Sequence, residues 1–121
     1  MDARHAVHAA LCAVMAWLSV VLALPGETFG TSVSYRMMAA MGTEGQWSAA
    51  FAVVALAGLA GLAPWPRPLL RLLGVLLLAT AHGVVALCFA WANPLTTATG
   101  TYGVLAGLGY YLAWRRCDDG F

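Results

Sequence analysis

The sequence predicts an all-α membrane protein, with four transmembrane helices in an antiparallel bundle and a short amphipathic interfacial helix in the first extracytoplasmic loop. Three observations lead there. Hydrophobic residues make up 62% of the 121 and charged residues only 9%, against about 45–50% and 25% in soluble domains. A soluble fold of this size leaves too much surface wet to hide that much apolar area, whereas a bilayer solvates it. The apolar residues also fall into runs long enough to cross roughly 30 Å of hydrocarbon at about 1.5 Å per residue. Finally, the interruptions carry Pro, Gly and Asn, the residues that stop and start helices. Residues 1–121 read as a single integral-membrane domain.

The first span is expected over residues 6–24, ended by Pro25-Gly26 because proline cannot continue a helix and glycine accepts the turn. Arg4 ahead of an apolar run also suits a signal peptide. The run is long for that and no A-x-A site follows, so a retained anchor is expected. Residues 25–43 then form the longest stretch that hydrocarbon would reject. Within it Val33, Met37 and Met41 recur four residues apart with Tyr35 and Met38 beside them, which predicts a short amphipathic helix over about 31–41 ending at Gly42. Phe29, Tyr35, Arg36, Met37, Met38 and Met41 are the candidate contact surface for a partner, since methionine is pliable and adapts to what it meets. The plainer reading, a methionine stripe resting on lipid or on the bundle, takes precedence.

Thr43 followed by Gln46, just before Trp47, has the spacing of a capping box. It starts the second span near Glu44 and makes 44–63 long enough to cross. Gly58 and Gly61 give this helix a smooth face for close contact. Pro64, Pro66 and Pro68 form a stiff connector, and Pro68 suits the first turn of a third span over 68–92. Arg71, one turn inside, is expected to snorkel back to the headgroups. Asn93-Pro94 caps a fourth span over 94–114, rich in threonine at its start and carrying Gly103 and Gly107 in a G-x-x-x-G pair. That pair suits either a contact within the chain or a seam between copies.

Four spans put both termini on one side, together with Arg4, Arg67, Arg71, Arg115 and Arg116, and leave Arg36 alone opposite. The positive-inside rule makes that side cytoplasmic. Aromatics agree, with Phe29, Trp47 and Trp91 at the outer face and Trp65, Tyr111 and Trp114 at the inner.

Chemistry is sparse. No Asp or Glu sits in the interior of a span, which argues against a proton-coupled exporter. His82, mid-way along the third span, is the candidate buried polar residue, and a neutral histidine bonded across the bundle is favoured over a haem ligand or gate. Cys12, Cys88 and Cys117 form no C-x-x-C pair. There is no G-x-S-x-G and no phosphate-cradling glycine loop, so no enzyme, cofactor or metal is expected. The formal charge of +1 says nothing about nucleic acid, and with no basic run to bind phosphates no nucleic-acid partner is expected.

The elements Leu24-Pro25-Gly26, Thr28-Phe29, Tyr35, Glu44, Trp47, Asn93-Pro94 and Tyr102 resemble those of small hypothetical four-span membrane proteins of tailed phages and prophages. The resemblance covers most of the chain and implies a setting, the bacterial inner membrane, but no mechanism. The expected function is a non-catalytic scaffold or interaction subunit that presents the 25–47 loop. Its expected partners are the lipid bilayer and either a homo-oligomer or another membrane protein. The alternatives are a holin-like permeabilising protein and, behind it, a small channel or transporter.

Overall fold

The computed structural model describes residues 3–24, 35–62, 68–92 and 97–118. Every element among them is helical: α1 (Ala3–Ala23), α2 (Arg36–Met41), α3 (Glu44–Leu62), α4 (Pro68–Ala92) and α5 (Thr97–Asp118). The starts follow local chemistry. At α3 the Thr43 N–H donates to Gln46 Oε1 (3.0 Å) and the Gln46 N–H donates to Thr43 Oγ1 (3.1 Å), the reciprocal bonds of a capping box. At α4 Pro68 opens the helix, where its missing N–H costs nothing. Phe29 and the stretch 31–34, the expected first turn of the loop helix, lie outside the described residues.

Three helices, Ala3–Ala23, Glu44–Leu62 and Pro68–Trp91, are long and apolar enough to cross a membrane. α5, at 22 residues, is as long but less apolar because of its threonines, glycines and tyrosines. Large apolar side chains cover the outside, with Leu87 72%, Trp91 77% and Trp17 67% exposed. The buried polar side chains among the described residues are, by contrast, His8, Ser19, Ser48 and His82. This distribution suits a hydrocarbon solvent, in which polar groups must find partners inside.

α1 buries one stripe, His8, Leu11, Cys12, Met15, Leu18, Ser19 and Leu22, against Ser48, Phe51, Ala55, Gly58 and Gly61 of α3. Polar bonds pin this pair at two levels. His8 Nε2 donates to the Gly58 carbonyl at 2.9 Å. Ser19 Oγ donates to the Ser48 carbonyl at 2.8 Å, and Ser48 Oγ donates to the Ser19 carbonyl at 2.7 Å. Each serine thus satisfies its hydroxyl on the other helix, and the pair fixes the sliding register of α1 on α3.

α4 is the central helix, touching α3, α5 and the short α2, and reaching α1 less. Glycine sets how closely its neighbours come. A Cβ added to Gly58 would lie 2.8 Å from both Cys12 Sγ and Leu78 Cδ1, and one on Gly74 would lie 3.1 Å from the Ala57 carbonyl oxygen. On the α5 side a Cβ on Gly109 would lie 2.7 Å from Ala79 Cβ. Gly103 and Gly107 behave differently, having nothing within 4 Å. Among the described residues they face open space, because the inward face of α5 is set by Ala106, Gly109, Leu112 and Ala113.

Substitution should separate the two glycine classes. Gly109→Leu forces α5 away from the Ala79 backbone and is expected to cost about 1–3 kcal/mol. Gly103→Leu enters open space, gains helix propensity and should leave stability within about 1 kcal/mol or raise it. Reversible unfolding in mixed micelles measures both, and equal losses would contradict the assignment of faces.

Candidate interaction surface

The loop helix α2 is drawn into the bundle. Tyr35 precedes it, and the six residues Arg36–Met41 end where the Gly42 N–H returns to the Met38 carbonyl at 3.1 Å. Trp47, from the first turn of α3, donates its Nε1–H to the same carbonyl at 2.7 Å. The carbonyl thus accepts twice, from the Gly42 N–H and from the indole, using both of its lone pairs. Met38 is 1% exposed and belongs to the core cluster that includes Leu18, Leu22, Phe51 and Phe89. The sequence expectation placed it on a contact surface. With α2 packed against the bundle, Met38 is the side chain of the helix that is fully buried. Met37 is half-buried against the same cluster, whereas Arg36 and Met41 remain exposed. Met37 and Met41 line an apolar groove of about 390 Å³ with Val84, Leu87, Cys88 and Trp91 of α4.

An aromatic column continues inward from Tyr35. Its ring meets Phe89 edge-on at 5.3 Å, Phe89 meets Tyr102 at 5.7 Å, and Tyr102 meets the His82 ring at 6.1 Å. His82 is fully buried, and its Nδ1 lies 2.7 Å from the Leu78 carbonyl one turn back. A carbonyl only accepts, so Nδ1 carries the proton and Nε2 is left as an acceptor with no hydrogen-bond partner among the described residues. The bond that holds His82 therefore lies within its own helix, not across the bundle as the sequence suggested.

The second open surface is the outward side of α5. Gly100, Gly103 and Gly107 have empty space beside them, and Thr97, Thr101 and Val104 are exposed on the same helix. Thr97, Gly100, Thr101, Val104 and Leu105 line a shallow groove of about 560 Å³. Thr101 donates to the Thr97 carbonyl at 2.9 Å, the back-bond that lets a threonine sit in an apolar setting. Lower down, Thr80 and Tyr110 share a hydrogen bond of 3.1 Å across the α4–α5 seam.

Sequence reasoning passed over His8, Ser19, Ser48, Gly74 and Gly109. The signal for the first two was present: His8 and Ser19 fall in phase with Leu11, Met15, Leu18 and Leu22 on one face of α1, so both had to be inside. Gly58 and Gly61 meet α1 and α4, with Gly61 against the His8 ring and the Leu70–Arg71 backbone. Among the described residues no three His, Cys, Asp or Glu side chains converge on a common point. No family model matches the chain, and neither curated proteins nor solved structures give a match.

The indole bond to Met38 can be tested alone. Trp47→Phe keeps the ring contact with Phe51, 5.5 Å away, and removes the N–H donor. Loss of one such bond, about 0.6–1.7 kcal/mol, should speed amide exchange in α2 roughly three- to twentyfold while α1 and α3 stay protected. Unchanged exchange in α2 would mean that Trp47 does not hold it.

Proposed function

We propose that this chain is a four-span integral protein of the bacterial inner membrane, an antiparallel bundle with both termini cytoplasmic, and that it acts as a non-catalytic interaction subunit by pairing with a second copy through α5. The observation that carries this reading is the open glycine and threonine face of α5. Lipid tails fill such a face poorly, because removing side chains removes dispersion contacts on both sides. Another helix with the same small residues can approach closely and recover them, and hydroxyls at the seam can find partners there. The modest apolarity of α5 has the same source, since Thr97, Gly100, Thr101, Gly103 and Gly107 all lie exposed. The 25–47 loop then serves as the extracytoplasmic cap, with Arg36 and Met41 as its accessible contacts. The resemblance to small phage and prophage membrane proteins is consistent with that setting.

A holin-like pore draws on the same face. In that version a closed ring of copies turns Thr97 and Thr101 towards a wet centre, and expression collapses the membrane potential.

Cysteine crosslinking in native membranes tests the seam. With Cys12, Cys88 and Cys117 replaced, Gly103→Cys and Gly107→Cys are expected to give a disulfide-linked dimer. Leu59→Cys, exposed on α3, should not. Gly103→Leu should abolish the dimer while leaving the monomer folded. Equal crosslinking from both helices, or none from α5, would remove the proposal, and a collapsed potential with higher-order adducts would transfer the face to the pore.

A further inference from the structure

Between the loop helix and the C-terminal end of α4 lies an apolar groove of about 390 Å³. Met37 and Met41, one turn apart on α2, form one wall, and Val84, Leu87, Cys88 and Trp91 of α4 form the other. Val84, Leu87 with Cys88, and Trp91 fall on successive turns, so the groove follows α4 for about 10 Å at about 1.5 Å per residue. Water does not settle in such a space, because the walls offer it no set of polar partners. Left empty, the groove forfeits dispersion contacts on both walls. The same short helix carries a charge beside it. Met38 faces the core, and at about 100° per residue Arg36 falls on the opposite side of α2, adjacent to Met37, where it is exposed.

An occupant that satisfies both features has a pliable apolar chain and a negative charge at the end of it. The open face of α5 on a second copy lacks the first of these. Gly100, Gly103 and Gly107 make that face a depression, and one depression does not fill another. A phospholipid has both parts, and methionine walls adapt to a chain whose conformation varies. We propose that the α2–α4 groove holds one acyl chain of an anionic phospholipid from the surrounding membrane, with the lipid phosphate on Arg36. The guanidinium donates to the phosphate oxygens, and the exposed Trp91 indole stands at the level where chain gives way to headgroup. Two walls hold this chain, whereas lipid along Val53 and Leu56, exposed on α3, rests against one helix face. The proposal rests on the membrane-spanning arrangement proposed above, with α2 at headgroup level, but not on self-association.

The test places the full chain in vesicles with photoactivatable phosphatidylglycerol or phosphatidylcholine, each carrying a diazirine midway along one acyl chain. Adducts are mapped by peptide mass spectrometry. Met37, Met41, Val84 and Leu87 are expected to be labelled about fivefold more than Val53 and Leu56. Within the groove, phosphatidylglycerol should label about fivefold more than phosphatidylcholine. Met41→Trp, which fills the groove from its exposed rim, should bring groove labelling down to the level of α3. Arg36→Gln should keep the labelling and remove the headgroup preference. Groove labelling no stronger than that on α3 would leave ordinary boundary lipid and overturn the site. Equal labelling by the two lipids in the unaltered chain, or a preference that emerges only in Glu27→Gln, would take Arg36 from the phosphate and overturn the anionic occupant. A disulfide-linked dimer from Leu87→Cys, with the native cysteines replaced, would give the groove to a second copy and overturn the lipid. Absence of adducts from α3 as well as the groove would overturn the membrane reading itself, while crosslinking through α5 reads self-association separately. The two-lipid comparison needs no variant, so it decides the matter even if a variant fails to fold.

Discussion

A polar group that enters this bundle has to find its partner inside it. Helices meet that demand for the backbone, and the side chains meet it pairwise. Ser19 and Ser48 exchange hydroxyl-to-carbonyl bonds, His8 reaches the Gly58 carbonyl, and His82 turns back to Leu78. Each of these bonds uses a carbonyl that already accepts within its helix, through its second lone pair, so no backbone bond is sacrificed. The contacts of His8 and of the serine pair also cross from α1 to α3. They set the depth and rotation of that pair, something its evenly apolar surfaces could not do alone.

Local chemistry and helix facing were unequally legible in the sequence. The bounds of α3 and α4 are set by neighbours in the chain: the Thr43–Gln46 box and Pro68 act wherever they occur, so their positions could be read directly. Rotation about the helix axis is different. In a soluble helix the apolar stripe marks the inward face, but an evenly apolar helix offers no such stripe. In its place the phase is carried by the few polar and small residues. Ser19, Ser48 and His8 mark it on α1 and α3, while on α5 the inward face belongs to Gly109 and not to the more conspicuous Gly103 and Gly107. Met38 was unreadable for a related reason. Met37, Met38 and Met41 are chemically alike, and which of them turns inward depends on how α2 rests against the other helices.

The two ends of the bundle are finished in different ways. At one end α2 lies across the bundle, Met38 fills the space between the helices, and the Tyr35–Phe89–Tyr102 column stacks aromatic surface down towards His82. Apolar and aromatic contact closes that end. At the other, α1, α4 and α5 meet through Val7, Val75, Leu112 and Ala113, and Arg4, Arg71, Arg115 and Arg116 are half-buried on these helices. Cations brought together by packing repel one another, and the arrangement is tolerable only where anions, from the chain or the surroundings, are at hand.

The order of the helices also explains why α5 is the one with surface to spare. α1 rests on α3, α3 on α4, and α4 on α5, while α1 and α5 meet mainly through their terminal segments near Val7 and Arg116. The last helix in that series has a well-filled seam on one side only, and Gly109 against Ala79 makes this seam tight. If the opposite side faced only lipid, bulky Leu or Val would be the cheapest covering, as α3 shows with Val53, Leu56 and Leu59. α5 instead presents Gly100, Gly103 and Gly107 among threonines, a choice that sacrifices dispersion with lipid and helix propensity together. In the proposed pairing that cost is recovered by a second helix, whose shape matches a row of missing side chains.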